Sequence, residues 1–145
     1  MKLTIHQNKE LKEEEIVIHC IRMDKRLQKL CNYIRQFTFS VGGENEGKQY
    51  QLAPEEIYYI DSVDGKSFLY DAAQSYFCRQ TLTALESQLK NTTFVRISKS
   101  CILNTAYLKC VEPYANHRMK AELKNGEYLL ISRNYIEALK DKIRS

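Results

Sequence analysis

The chain has 145 residues, 43% of them apolar and 28% charged, with a net charge of +4. This suits one domain of ordinary size with a real core and excludes a disordered or fibrous chain. No apolar run is long enough to cross a bilayer and residues 1–10 lack a continuous hydrophobic segment, so a cytoplasmic protein is expected. The charge is uneven: from Lys90 onward, eleven Lys or Arg face five Asp or Glu. With a total of +4 the first 89 residues are therefore slightly acidic, and a basic back half that meets a polyanion is expected.

Taken in chain order, 1–7 alternates apolar and polar residues and 16–21 is a second β-like run, with Glu13, Glu14 and Glu15 between them. Asp24 offers a helix cap, and Leu27, Leu30, Cys31, Ile34 and Phe37 form a stripe at spacings of three and four. Residues 1–47 thus predict a small β-β-α extension. It buries too little alone and should pack on the remainder or on a second copy. Gly42, Gly43, Asn45 and Gly47 predict a loop and the domain boundary, leaving 48–145 as the second unit.

From there the pattern turns to short strands. Tyr50–Leu52 is extended and Pro54 stops it; 56–62 faces 66–71 across Val63-Asp64-Gly65, a hairpin signal because Gly accepts positive φ. A strand at 75–79 precedes a short helix over 81–90 with Leu82, Leu85 and Leu89 on one face and Thr81 or Thr83 as its cap. The stretch from Phe94 to Asn104 reads as strand, polar loop, strand. Its loop sets Lys99 between Ser98 and Ser100, near Arg96, and such a donor cluster suits phosphate oxygens.

A strand over 107–112 ends at Pro113. Arg118–Leu123 then alternates with Met119, Ala121 and Leu123 inward, and Asn125-Gly126 turns it into a partner over 128–131. Ser132 is placed to cap a final helix with Tyr135, Ile136, Leu139 and Ile143 on its apolar face. Arg133 and Asn134 then lie in a first turn suited to phosphate or a guanine edge.

Catalytic chemistry finds no support. His6, His19 and His117 are far apart, Asp61 and Asp64 flank a turn, and no phosphate loop, dinucleotide fingerprint or nucleophile elbow occurs. No enzyme activity, cofactor or small-molecule substrate is expected. The five cysteines, Cys20, Cys31, Cys78, Cys101 and Cys110, lack metal-ligand spacing and read as reduced, buried or half-buried thiols, with no metal.

The segments Ile57–Lys66, Phe94–Asn104, Leu123–Glu127 and Ile131–Tyr135 together closely resemble, in order and spacing, the LytTR DNA-binding domain. The resemblance covers about residues 48–143. It implies a mainly β fold, an elongated β sandwich with short helices, that reads promoter repeats on double-stranded DNA through loops in successive major grooves. By position, it implies base-reading roles for Lys66, Ser67, Lys99 and Arg133. Phosphate contacts are expected from Arg96, Ser100, Ser132, Asn134 and Lys140. Many members have His-Arg or His-Asn where this chain has Ser98-Lys99, and a His at Ser67. A lysine is a mobile point charge, so Lys99 fits phosphate contact better than base discrimination.

The 47 preceding residues are too few for a phospho-receiver domain. They are similar to the extension of a standalone branch of regulators, for which a homodimer or docking to a protein partner is expected. The alternative is a protein-interaction module whose basic face is incidental. Salt separates the two, since DNA affinity falls steeply as counterions are released.

Overall fold

The computed structural model describes residues 1–144, which form a mainly β protein of two antiparallel sheets with short helices. The first 24 residues contain no strand, contrary to the β-β-α expectation. A strand needs partners for its N–H and C=O groups and a face to cover. Here Leu3, Ile5, Ile16, Val17 and Ile21 are all exposed, so the alternation serves no packed face. Helix α1 (Lys25–Gln36) forms as the stripe predicts, with Asp24 accepting from the Leu27 N–H at 2.8 Å. Of that stripe Leu27, Cys31 and Ile34 are half-buried, while Leu30 and Phe37 remain exposed.

The glycine-rich stretch expected to be a loop is strand β1 (Val41–Asn45), paired along its length with β2 (Lys48–Leu52). Gly43 answers to close approach: a Cβ there would lie 2.7 Å from that of Tyr76. The sheet therefore begins before residue 48. Strands β3 (Tyr59–Val63) and β4 (Lys66–Tyr70) form the predicted hairpin, with Asp64 and Gly65 at φ of 53° and 76°. Strand β5 (Ser75–Cys78) precedes helix α2 (Leu82–Gln88), which Thr81 caps through the Ala84 N–H. Strands β6 (Phe94–Ser98) and β7 (Cys101–Asn104) complete a seven-stranded sheet in the order β2-β1-β5-β4-β3-β7-β6.

The second sheet contains β8 (Leu108–Tyr114), β9 (Arg118–Leu123) and β10 (Tyr128–Ile131), with β9 central. Pro113 does not end β8, because β8 is an edge strand and its missing N–H breaks no ladder there. After β10 a 3-10 turn over Arg133–Tyr135 leads into helix α3 (Ile136–Ile143). The Ser132 hydroxyl makes no capping bond; the tighter turn satisfies the Tyr135 N–H from the Ser132 carbonyl instead.

Two cores follow from this layering. Leu82, Leu85 and Leu89 of α2 pack on Ile57, Ile60, Leu69, Tyr76 and Ile102 across one face of the large sheet. On the other face Ile97, Cys101 and Leu103 meet Ala121, Leu123, Ile131 and Leu139 from the small sheet and α3. All four β7 residues are buried because both its faces are covered. Cys78 and Cys101 are buried thiols, whereas Cys20 and Cys110 are exposed, against expectation.

Candidate nucleic-acid interface

The three tips singled out in the sequence meet along one end of the large sheet, and backbone hydrogen bonds bring them there. Strand β3 pairs antiparallel with β7, so the β3–β4 turn and the β6–β7 turn lie side by side. The Ser62 N–H donates to the Ser100 carbonyl at 2.7 Å, which fastens the two. A bulge between Arg96 and Ser98 leaves Ile97 out of the ladder to β7. The Ile97 carbonyl accepts instead from the Ser132 N–H at 2.9 Å, which sets the start of the third tip beside the second.

Lys66, Lys99, Ser100, Arg133 and Asn134 are exposed on or next to these tips. Ser132 is half-buried, with its N–H committed to Ile97. Lys140 is also half-buried on α3, roughly 10 Å along the helix from Arg133 at 1.5 Å per residue. Ser67 is different: it is 2% exposed and shares the covered face of β4 with Leu69, so it presents no hydroxyl to a ligand. The alternation of β4 itself carried that signal.

Arg96 is not a free cation. Its side chain is 16% exposed and forms an ion pair with Glu86 of α2 at 3.3 Å. Its Nε donates to the Ser98 carbonyl at 3.0 Å and its Nη2 to the Lys99 carbonyl. The guanidinium therefore braces the loop from behind and aims Lys99 outward. The Ser98 hydroxyl accepts from the Ser100 N–H at 3.2 Å and narrows the same turn. Beneath it, burial and the charge of Asp61 push the Cys101 thiol up to about 12, so the tip rests on a neutral group.

One residue at the rim escaped the sequence reading. Arg79 follows β5 directly and is exposed beside Lys66, because Ser67 pairs with Cys78.

The comparisons with known proteins fit this architecture. The profile of the LytTr DNA-binding domain matches residues 47–144. Sensory transduction protein LytT of Enterococcus faecalis is 29% identical over 100 residues, which cover 69% of this chain and 41% of that protein. LytT of Bacillus anthracis is 31% identical over 90 residues, covering 62% and 37%. The transcriptional regulatory protein LytR of Staphylococcus aureus is 27% identical over 107 residues, covering 74% and 44%. The chain thus spans about two fifths of the length of these relatives. A solved LytTr DNA-binding domain from Bacillus cereus superposes with a TM-score of 0.69 at 18% identity, over 74% of this chain and 99% of that one.

Proposed function

This chain belongs to the LytTr DNA-binding domain family, and from that premise we propose that it is a transcription regulator whose rim of three tips reads double-stranded DNA. The observation that carries the reading is the pair of backbone hydrogen bonds, Ser62 to Ser100 and Ser132 to Ile97, that hold Lys66, Lys99 and Arg133 along one edge. Three exposed cations at one edge suit a duplex whose charge is spread along its length. In this reading Arg133 contacts a base edge through its planar fork, and Lys66 and Lys99 contact phosphates or acceptors in the adjoining groove. Ser100 and Asn134 add neutral donors to the backbone. Successive promoter repeats engaged from one side fit an edge of this kind.

The exposed apolar residues of 1–24 support a second part of the proposal. Leu3, Ile5, Ile16, Val17 and Ile21 cover nothing within the chain, so this segment engages a second copy or a protein partner. No described helix is long and apolar enough to cross a membrane, and action in the cytoplasm is part of the same reading.

The test begins with duplexes selected from a random pool by the purified protein. Affinity for a selected site is then measured against salt beside a scrambled duplex. Steep loss with salt together with retained site preference is expected. Equal, weak and salt-insensitive binding of both would favour a protein-interaction module.

A further inference from the structure

The register of the large sheet defines a single row across its end. Cys78 of β5 pairs with Ser67 of β4, Ser67 with Ser62 of β3, and the Ser62 N–H reaches the carbonyl of Ser100, the residue just before β7. The residues one step further out are Arg79, Lys66, Val63 and Lys99, and all four are exposed. Three of the four are cations. Arg79 therefore stands at the same height as the tips, on the side away from Arg133.

The two arginines near this edge differ in what they already hold. The guanidinium of Arg96 is taken by Glu86 and two carbonyls. Among the described residues the Arg79 side chain has no ion pair and no hydrogen bond. Strands in a sheet lie about 4.8 Å apart, which puts the end of β5 about 5 Å from Lys66 and about 15 Å from the Lys99 loop. At 3.4 Å per step on one strand, 15 Å corresponds to roughly four nucleotides.

We propose that Arg79 is a fourth cationic DNA contact beside Lys66, Lys99 and Arg133, gripping backbone phosphates beyond the stretch touched by Lys66 and so extending the footprint along the β5 side. This rests on the rim reading above. A solvent-facing arginine with no internal partner gives up nothing to take a phosphate, and its fork fits two phosphate oxygens. The contact carries no sequence information and sets the register of the protein on the duplex.

The experiment uses the full chain and the selected duplex, with Arg79→Ala, Arg79→Lys, Lys99→Ala and Arg133→Ala compared across salt. Arg79→Ala is expected to weaken selected and scrambled duplexes by the same factor and to lower the salt slope by about one unit. Arg79→Lys should restore the slope. Trimming the selected duplex from one end should reach a length at which wild type and Arg79→Ala bind alike. Arg79→Ala binding as wild type while Lys99→Ala and Arg133→Ala lose affinity would overturn the Arg79 contact alone. If all three alanine variants bound as wild type, the rim reading would fall and this proposal with it. A loss confined to the selected site would make Arg79 a base reader and overturn the backbone assignment. Unchanged thermal melting of Arg79→Ala, expected because its side chain holds no ion pair or hydrogen bond among the described residues, excludes a folding effect.

Discussion

Arg96 donates to the Ser98 carbonyl at 3.0 Å and to that of Lys99 as well, so a cation expected at phosphate is engaged in shaping the loop that carries Lys99. Charge-assisted bonds of this type contribute about 1.5 to 3 kcal/mol. Arg96→Ala should therefore lower affinity for every duplex and lower thermal stability while leaving the salt slope unchanged. A slope reduced by about one unit would make Arg96 a phosphate ligand after all.

Lys99 and Arg133 should separate cleanly in the same assay. Lys99→Ala should reduce the salt slope by about one unit with little change in site preference. Arg133→Ala should cost about 1 to 3 kcal/mol at one base position and relax preference there. Identical site preferences for wild type and Arg133→Ala, read by competition with single-base variants, would remove Arg133 from base reading.

Truncations at the N-terminus should differ by where they cut. Removing residues 1–23 keeps the Asp24 cap, α1 and both sheets whole, so sedimentation should show weaker self-association while the melting temperature stays put. Removing 1–47 strips β1 from the sheet and with it the fully buried Val41, a side chain that contributes about 1.5 to 3 kcal/mol. Equal melting of the two truncations would contradict β1 as an integral strand.

Gln36 is the anchor of α1. It is fully buried and its Oε1 accepts from the Thr93 N–H at 2.7 Å and from the Thr93 hydroxyl, which also reaches Asn104. Gln36→Ala leaves the Thr93 N–H without its partner, at about 1 to 3 kcal/mol. Hydrogen exchange should show α1 losing protection before the sheets do. Undiminished protection of α1 would assign its docking to the half-buried stripe.

Asp71 gives a pH signature. Burial pushes its carboxyl up, but the Tyr76 hydroxyl at 2.7 Å and the N–H groups of Gln74 and Ala73 outweigh this and hold it below the ordinary 3.8. A folded value below the unfolded one means stability that is fully present above 3.8 and is lost as pH falls through the folded value. The melting difference between wild type and Asp71→Asn should therefore shrink as pH drops below about 4. A difference constant from pH 7 to pH 3 would rule this out.

What the sequence disclosed was what depends on near neighbours. Asp64-Gly65 and Asn125-Gly126 announce their hairpins because positive φ is a local demand, met here at Asp64, Gly65 and Gly126. Leu82, Leu85 and Leu89 mark the buried face of α2 by spacing alone. Gly43 looks like part of a loop because the reason for it, Tyr76 pressing from β5, lies 33 residues away. The burial of Gln36 against Thr93 is likewise invisible to periodicity. At the site, the polar tips were legible as segments, while their proximity was an expectation of the family resemblance and the burial of Ser67 follows from the alternation of β4. The internal use of Arg96 depends on a bulge and on Glu86 of another element, which spacing does not carry. Pro113 misled because an edge strand tolerates what a central strand does not.

The bonds that align the tips are all main-chain: the ladder through Cys78, Ser67 and Ser62, the Ser62 to Ser100 link, and the Ser132 to Ile97 link. None of them depends on which side chain projects from Lys66, Lys99 or Arg133. On the proposed reading, substitution at those three positions alters what the rim touches while the scaffold that presents them stays intact, so DNA contacts can diverge without a penalty in folding.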